Sequence, residues 1–349
     1  MDPISIAGRR IGPDEPPYII AEISANHGGS LERAKRIVSL SAERGAHAVK
    51  FQAYTANSLT LDSDHPDFVI QAETPWKGRR LHALYREAAT PYEWFPELFA
   101  HARACGVTPF ASVFGLDAIE ELERLGAPAY KIASFEAVDL ELIEACARTG
   151  KPLIISTGLC TLPEIADALS AARRGSGRDV SLLRCNSAYP ADPSEANLLA
   201  IPDMIRRFDV PIGYSDHTLT ALQAAVAVGL GACIIEKHVI DAREPATADS
   251  TFSSLPDQLD ELVRACRTAF DARGSATYGP TEKEKHSIVF RRSLYAVENI
   301  PTGAPFTREN IRAIRPGRGL PPKELGKVLG RQARRAVSRG EPILWDLIQ

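Results

Sequence analysis

Two apolar runs of the sequence, Pro211-Ile-Gly-Tyr-Ser-Asp-His217 and Ala232-Cys-Ile-Ile-Glu-Lys-His238, each end in a histidine. The segment between them, residues 220–230, has a helix-like composition. The pattern predicts a strand, a helix and a second strand, with one imidazole at the carboxyl end of each strand. Neighbouring parallel strands lie about 4.8 Å apart, so the two rings can share one metal ion. The positions of His217 and His238 therefore predict a metal site at the end of a parallel sheet.

Short β-rich runs alternate with helix-period segments along most of the chain. Eight predicted strands, each followed by a helix, extend over about 270 residues. This number of units and this length are typical of a (β/α)8 or TIM barrel. The predicted strands are residues 18–23, 48–52, 108–112, 129–132, 153–156, 181–184, 211–213 and 233–236. A doubly wound sheet is the competing fold, but no GxGxxG motif follows the first strand.

Chain length and breaks in this alternation predict the domain organisation. A chain of 349 residues exceeds the size at which a single core usually stops growing. We expect a barrel domain over residues 1–273 that includes a hairpin at 2–13, then a linker at 274–290 and a small turn-rich domain at 291–349. A long insertion, residues 54–91, follows the second strand, at the end of a barrel where loops usually serve the active site.

Composition excludes several classes of function. The net charge is −3 and 44% of residues are hydrophobic, so no basic footprint for nucleic acid is present. No apolar stretch is long enough to span a bilayer, and the amino terminus lacks the features of a signal peptide. The six cysteines form no CxxC pair and are expected to be reduced thiols. We therefore expect a cytoplasmic protein that binds neither nucleic acid nor membrane.

Polar residues also follow the other predicted strands. Lys50 and Lys131 lie near the carboxyl ends of the second and fourth strands. Lysine binds phosphate as a point charge, and hydroxyl and backbone N–H groups supply directed bonds. Taken alone, either lysine could be ion-paired, and Glu22 could be its partner. The convergence of polar residues from all eight strands favours a pocket for a small dianion such as a phosphate ester.

The sequence resembles the sialic acid synthase family, which condenses phosphoenolpyruvate with an N-acetylated amino sugar, and within it the branch that makes pseudaminic acid. The similarity runs nearly end to end. It includes Ala21-Glu-Ile-Ser-Ala-Asn-His-Gly28, Ala48-Val-Lys-Phe-Gln-Ala-Tyr-Thr55, Thr74-Pro-Trp-Lys-Gly-Arg-Arg-Leu-His-Ala-Leu-Tyr85 and Pro128-Ala-Tyr-Lys-Ile-Ala-Ser-Phe-Glu136. The tail, residues 291–349, resembles the family's antifreeze-like (SAF) domain. The fold implied is a TIM barrel followed by a SAF domain.

The resemblance also implies roles for individual residues. His217 and His238 are expected to hold a divalent metal, Mn2+ first and Mg2+ or Co2+ as alternatives, and to form the catalytic set together with Glu22. The implied phosphoenolpyruvate-binding residues are Lys50, Ser112, Lys131, Ser134, Ser156, Ser187 and Ser215. The implied sugar-binding residues are Asn26, Gln52, Tyr189, Asp249 and Arg315. The family forms a domain-swapped homodimer, in which the SAF-domain arginine lies over the other subunit's barrel.

The implied reaction joins phosphoenolpyruvate to a 2,4-diacetamido-2,4,6-trideoxy hexose of the altrose type, giving pseudaminic acid and phosphate. One alternative is a synthase of N-acetylneuraminic or legionaminic acid acting on a mannose-type sugar, which the insertion containing Trp76 and Tyr85 disfavours. Another is a non-catalytic sugar-binding relative, which the intact Glu22 and histidines disfavour. Thr247-Ala248-Asp249 stands where the family has Gly-Pro-Asp, which predicts a changed sugar preference.

Overall fold

The computed structural model of the chain describes residues 2–72, 74, 76–175 and 177–349. Two compact units divide the chain, Met1–Gly274 and Ser275–Gln349. The first unit contains all of the residues predicted to form the site except Arg315. The second contains the residues predicted to form the small carboxyl-terminal domain.

Eight parallel strands close into a barrel in the first unit, which confirms the predicted TIM barrel. The strands are β3 (Tyr18–Glu22), β4 (Ala48–Ala53), β5 (Thr108–Val113), β6 (Tyr130–Ile132), β7 (Leu153–Ser156), β8 (Val180–Cys185), β9 (Ile212–Asp216) and β10 (Ile234–His238). Strand β10 pairs with both β9 and β3, and this pairing closes the barrel. The seventh strand extends to Asp216 and the eighth to His238, further than their apolar runs suggest, because the parallel ladder continues through the polar residues.

Helices follow the strands on the outside of the barrel. They are α1 (Leu31–Glu43), α2 (Ala56–Leu59), α3 (Leu81–Ala88), α4 (Phe95–Ala104), α5 (Leu116–Arg124), α6 (Leu140–Arg148), α7 (Leu162–Arg174), α8 (Ala200–Phe208), α9 (Leu222–Gly229) and α10 (Pro256–Arg273). Side-chain caps fix several starts: the Ser30 hydroxyl accepts the Arg33 N–H, and Thr161 and Glu164 form a capping box. None of the described helices has both the length and the apolar character needed to cross a membrane.

Side chains inside the barrel change from apolar to polar along each strand. Because side chains alternate between the two faces of a strand, every second residue points inward. The amino-terminal part of the interior is apolar, with Ile20, Ala48, Phe110, Ala129, Ile154, Leu183 and Ile234 in one buried cluster. The outward residues pack against the helices in a separate, larger core. Charged and polar side chains of the interior are therefore found in its carboxyl-terminal half.

A short hairpin closes the apolar end of the barrel. Strands β1 (Ile4–Ile6) and β2 (Arg9–Ile11) pair antiparallel within the segment predicted to form a hairpin. Ile4, Ile6 and Ile11 are buried in the same cluster as the apolar interior residues of the barrel. The hairpin therefore extends the interior core instead of forming an independent element.

The insertion after β4 is a folded element, whereas the sequence suggested only a long loop. It contains α2 and α3, and a capping box between Thr55 and Ser58 begins the first of these helices. Tyr54 anchors the insertion by packing against Tyr85 and Phe114, with ring centroids 6.0 and 5.2 Å apart. Pro75 of the quoted insertion motif lies outside the described residues.

The second unit is a small domain with its own core. Strands β11 (Ser293–Ala296) and β12 (Ile311–Ile314) pair antiparallel, and a short helix, α11 (Leu325–Val328), follows. Its core residues include Leu294, Phe306, Val328, Val337 and Ile343. The segment predicted as a linker contains a 3-10 helix, Glu282–Phe290, because Thr281 and Glu284 form a capping box at its start.

His47 provides a test of the fold away from the site. Its Nδ1 accepts the Ile19 N–H at 2.9 Å, and its ring stacks on Tyr18. Burial lowers the pKa of His47 to about 4, and Arg9 adds to this effect. Below the ordinary imidazole pKa the unfolded chain takes up a proton that the folded chain refuses, so stability falls as pH falls from 6.5 towards 4.

We expect His47→Asn to remove this pH dependence, because an amide oxygen can accept the same N–H and does not titrate. Between pH 6.5 and 4 the free energy of unfolding of the wild type should fall by about 2 kcal/mol more than that of the variant. Urea denaturation at a series of pH values measures the difference. Parallel stability curves for the two proteins would contradict the assigned role of His47.

Candidate active site

A layer of charged and hydroxyl side chains fills the carboxyl-terminal half of the barrel interior. It begins two residues beyond the apolar layer on each contributing strand, so both layers face inward. Its members are Glu22, Lys50, Ser112, Lys131, Ser156, Ser215 and Glu236, each no more than 5% exposed. The structure thus brings Glu22 together with five of the seven residues predicted to bind phosphoenolpyruvate.

Lys50 lies between two carboxylates. Its Nζ is 2.5 Å from Glu22 Oε2 and 3.3 Å from Glu236 Oε2, and it donates a hydrogen bond to Ser112 Oγ at 2.9 Å. Burial acts to lower the pKa of Lys50, but Glu22 and Glu236 outweigh burial and raise it. Lys50 is therefore a fully buried ammonium group at neutral pH.

Lys131 is the second buried ammonium group. It donates to Ser156 Oγ at 2.8 Å and to the Ile132 carbonyl at 3.0 Å, and lies 3.9 Å from Glu236 Oε1. Burial lowers the pKa of Lys131 to about 8, with Glu236 acting in the opposite direction. Ser215 donates to the same Glu236 oxygen at 3.0 Å, so this carboxylate links β9 to both lysines.

The two carboxyl groups differ in their readiness to take up a proton. Burial raises the pKa of Glu22 to about 7, although Lys50 acts against the rise. Burial also acts to raise the pKa of Glu236, but Lys131 and Lys50 outweigh it and the pKa lies below its ordinary value. Two cations thus face one ionised carboxylate and one carboxyl group that takes up a proton near neutral pH, and each proton taken up leaves more positive charge for an incoming anion.

Ser134 and Ser187, the other two residues predicted to bind phosphoenolpyruvate, lie beside Gly158. The Gly158 N–H donates to Ser134 Oγ at 3.1 Å, and Ser187 Oγ is 3.7 Å from Cys185 Sγ. A Cβ atom at Gly158 would overlap Ser187 Oγ and would lie 2.8 Å from Ser134 Oγ. The two hydroxyls gather here because residue 158 has no side chain.

His217 and His238 face each other, with ring centroids 5.4 Å apart. His217 Nδ1 is 2.7 Å from the Asn186 carbonyl oxygen. A carbonyl only accepts hydrogen bonds, so Nδ1 carries a proton, and in the neutral ring Nε2 is the nitrogen with a lone pair. Burial lowers the pKa of His238 well below its ordinary value, and His217 adds to this effect. The buried Nδ1 of His238 has no hydrogen-bond partner among the described residues.

These features fit a metal ligand pair, because metals bind the neutral imidazole and an unsatisfied buried nitrogen needs a partner. Within the described part of the chain, no group of three or more His, Cys, Asp or Glu side chains has an arrangement that could hold a metal ion. His217 and His238 are therefore the residues of this site that could hold a metal ion.

An ion pair behind the histidines holds their strands together. Asp216 and Lys237 are register partners on β9 and β10, each immediately before a histidine. Lys237 Nζ is 2.8 Å from Asp216 Oδ2, and Asp216 Oδ1 accepts both the N–H and the hydroxyl of Thr218. The backbone on both sides of His217 is thereby fixed relative to the residue before His238.

A cavity of about 460 Å3 opens beside His238. Gln52, Tyr189 and Asp249, all predicted to bind sugar, lie in its wall with Ser187 and His238. The insertion supplies a largely apolar wall consisting of Leu59, Ile70, Thr74, Trp76, Leu81, Leu84, Tyr85 and Ala88. A compact ligand with apolar substituents and a few polar groups suits this lining.

Two of the predicted sugar-binding residues lie elsewhere. Asn26 is fully buried and is not among the described residues that line the cavity. Its Nδ2 donates to the Val239 carbonyl and to Ser253 Oγ, and its Oδ1 accepts from Thr247, so its amide holds the loop after β10. Arg315 directly follows β12 in the second unit.

Several residues of the site were not singled out from the sequence. Ser24 has φ of +47°, donates through its hydroxyl to Asp249, and donates its N–H to Glu22 Oε1 at 2.8 Å. Glu136 lines the cavity, and its buried Oε2 has no hydrogen-bond partner within the described part of the chain. Burial raises the pKa of Glu136 to about 7. Glu136 lies in the stretch 128–136 that carries the family resemblance, so the sequence alone could have identified it. The left-handed backbone of Ser24 has no sequence signal.

The sequence of the chain matches one known family and one known domain. The sequence pattern of the NeuB family matches residues 37–278, and that of the SAF domain matches residues 291–349. The chain belongs to the NeuB family. It is 42% identical over 337 residues to the pseudaminic acid synthase of Helicobacter pylori, covering 96% of this chain and 98% of that protein. It is 34% identical over 340 residues to the N,N'-diacetyllegionaminic acid synthase of Legionella pneumophila, covering 95% and 94%.

A solved NeuB-like structure supports the fold. The N-acetylneuraminic acid synthetase of Leptospira borgpetersenii, crystallised in complex with citrate, superposes with a TM-score of 0.74 at 30% identity. The match covers 82% of this chain and 95% of that one. The family resemblance and the SAF domain predicted from the sequence are therefore confirmed.

Gly158 offers a test of the hydroxyl cluster. We expect Gly158→Ala to push Ser134 and Ser187 apart and to weaken the binding of inorganic phosphate about tenfold, because the anion loses directed hydrogen bonds. Isothermal titration calorimetry measures the affinity. Gly229→Ala is the matched control, since a Cβ there meets nothing within 4 Å. Unchanged phosphate affinity in Gly158→Ala would contradict a role for this cluster in anion binding.

Proposed function

We propose that the protein condenses phosphoenolpyruvate with a 2,4-diacetamido-2,4,6-trideoxy hexose of the altrose type and with water, giving pseudaminic acid and phosphate. The observation that carries the proposal is the pair of buried lysines, Lys50 and Lys131, one layer below two facing histidines, of which His238 borders a cavity. The 42% identity to the Helicobacter pylori pseudaminic acid synthase supports this choice of sugar.

The polar layer is the proposed site for phosphoenolpyruvate. Lys50 and Lys131 supply the charge that a phosphate and a carboxylate require, and their bonds to Ser112 and Ser156 set the directions of both ammonium groups. Ser134, Ser187 and Ser215 supply further hydroxyls. Because the strands hold these groups before the ligand arrives, binding requires little rearrangement.

His217 and His238 are the proposed ligands of a divalent metal, with Mn2+ as the expected ion and Mg2+ and Co2+ as the alternatives for comparison. The unpartnered buried nitrogen of His238 and the tautomer of His217 support this assignment. Such a metal supplies Lewis acidity to the carbonyl oxygen of the open-chain sugar.

The proposed reaction forms a bond between C3 of phosphoenolpyruvate and the aldehyde carbon of the sugar. The enol double bond supplies the electron pair, and the aldehyde oxygen takes up a proton and becomes a hydroxyl. Water adds to the electron-poor C2, and the resulting tetrahedral carbon expels phosphate to leave a 2-keto acid. We assign the proton transfers to Glu22, whose pKa of about 7 suits both uptake and release of a proton.

The cavity is the proposed site for the sugar. Its apolar wall from the insertion suits the methyl groups of two acetamido substituents and of a 6-deoxy sugar. Gln52, Tyr189 and Asp249 are the proposed polar contacts. The sugar aldehyde then lies between the two histidines and the buried anion site.

Phosphate release with a panel of sugars tests the proposal. With Mn2+ and phosphoenolpyruvate, we expect kcat/KM for the altrose-type diacetamido sugar to exceed that for N-acetylmannosamine and the mannose-type diacetamido sugar at least about tenfold. His217→Ala should lower the rate at least about a hundredfold, because the aldehyde is no longer polarised. Turnover of only mannose-type sugars would identify a neuraminic or legionaminic acid synthase, and no turnover with any sugar would favour a non-catalytic relative.

We also propose a domain-swapped homodimer in which Arg315 of each chain serves the partner's barrel. Exposed apolar side chains on the catalytic side of the barrel support a covered surface there: Phe135, Leu159, Leu199 and Leu222 are between 59% and 77% exposed. Such a concentration of apolar side chains is typical of an interaction surface.

Mixed dimers of two inactive variants test the swap. In a dimer of Arg315→Ala and Lys131→Met chains, a swapped arrangement assembles one intact site from the wild-type barrel of the first chain and the arginine of the second. Random mixing after dissociation should restore about a quarter of wild-type activity. If Arg315 serves its own barrel, mixing restores none.

A further inference from the structure

The loop after β10, residues 241–253, brings Asp249 to the cavity wall. Its two ends are joined at one place, since Val239 forms a β-bridge with Ser254 and the Ile240 N–H donates to the Ser254 carbonyl at 3.0 Å. The loop therefore leaves the barrel and returns to it at a single point. Contacts beyond this bridge decide where the loop places Asp249.

The buried guanidinium of Arg33, in the first turn of α1, makes three of these contacts. Nε donates to Asp241 Oδ1 at 2.8 Å, Nη2 to the Ala242 carbonyl at 2.9 Å and Nη1 to the Pro245 carbonyl at 3.0 Å. The Arg33 side chain is only 6% exposed. Three hydrogen bonds from one rigid, planar cation fix the first half of the loop against α1.

Gly28 allows the loop to approach the barrel this closely. A Cβ at Gly28 would lie 3.3 Å from both Arg33 Nη1 and Thr247 Cγ2, and the residue has φ of +54°. Next to this contact, Thr247 Oγ1 donates to Asn26 Oδ1 at 2.7 Å. Hydrogen bonds thus fix the loop as far as Thr247, two residues before Asp249.

Asp249 itself is held at the end of this fastened segment. Its Oδ2 accepts a hydrogen bond from the Ser24 hydroxyl and lies 3.4 Å from the Ala25 nitrogen, which donates to it. Its backbone carbonyl accepts from Ser253 Oγ at 2.7 Å. The carboxylate is therefore placed in the cavity wall by contacts on both sides of the loop.

We propose that Arg33 is a positioning residue, which fixes loop 241–247 so that Asp249 is in place before the sugar binds. The inference rests on the proposed function, because it assigns Asp249 to the sugar side. A preordered carboxylate avoids the entropy cost of ordering the loop during binding. Loss of Arg33 should therefore weaken sugar binding and leave phosphoenolpyruvate binding unchanged, since Lys50 and Lys131 are on barrel strands.

Arg36 provides a matched control. Its Nε donates to Asp241 Oδ2 at 2.8 Å, so it pairs with the same carboxylate as Arg33. Its side chain is 58% exposed, and its bonds to the loop go to the side chain of Asp241. Arg33→Gln and Arg36→Gln each remove one positive charge beside Asp241, but only the first removes the bonds to the loop carbonyls.

Hydrogen exchange of the loop amides, together with steady-state kinetics, tests the proposal. In Arg33→Gln we expect the amides of residues 242–250 to exchange about tenfold faster and the sugar KM to rise about tenfold, with the phosphoenolpyruvate KM within about twofold of wild type. Arg36→Gln should behave as wild type. Arg33→Lys keeps the positive charge but lacks the planar guanidinium, so its loop exchange rate and sugar KM should lie between those of wild type and Arg33→Gln. It replaces Arg33→Gln in the test if that variant does not fold.

The outcomes separate the two proposals. Wild-type loop exchange and sugar KM in Arg33→Gln overturn the inference, as does faster exchange across the whole barrel with equal rises in both KM values. If the loop loosens in Arg33→Gln but wild-type protein turns over none of the sugars, the proposed function and the sugar-side role of Asp249 fail while the anchoring of the loop by Arg33 stands.

Discussion

The arrangement of charges inside the barrel is the constraint on which the rest of the structure depends. Lys50 lies between Glu22 and Glu236, and Lys131 shares Glu236 with it. Removing one partner from a buried pair leaves an uncompensated charge, at a cost of about 3–5 kcal/mol. Glu22 and Lys50 are register partners on β3 and β4, so the pairing of these two strands brings the carboxyl group to the ammonium group. The buried lysines are thus compatible with a stable core only in this register.

Much of the fold was predictable because two of its sequence signals are local: the apolar runs of the strands and the polar residues at their carboxyl ends. Strands of a TIM barrel read as short apolar runs, and their carboxyl ends meet at one face, so Lys50, Lys131, His217 and His238 could be placed together without a structure. Hydrogen bonds between distant residues have no such signal. The family resemblance predicts that Asn26 contacts the sugar. Its amide instead forms hydrogen bonds with Val239, Ser253 and Thr247.

The insertion after β4 and the loop after β10 both depart from the simple barrel pattern, and they contact each other. The sequence carries no signal for this contact. Trp76, from the insertion, donates its indole N–H to the carbonyl of Ala248 at 3.3 Å, and its ring lies 6.0 Å from that of Tyr189. Ala248 belongs to the Thr247-Ala248-Asp249 stretch that differs from the family. The insertion and the altered loop therefore form one continuous wall, and a change in either one alters the same side of the cavity.

The interior of the barrel is a stack of layers. Along β10, Ile234 belongs to the apolar layer, Glu236 to the charged layer and His238 to the cavity wall, and the hairpin seals the apolar end. In the proposed reaction the phosphoenolpyruvate held by the lysines lies deeper than the sugar in the cavity. On that assignment the anion enters before the sugar, and phosphate leaves after the nine-carbon product. The depth of the layers would then set the order of binding and release, with no moving part required.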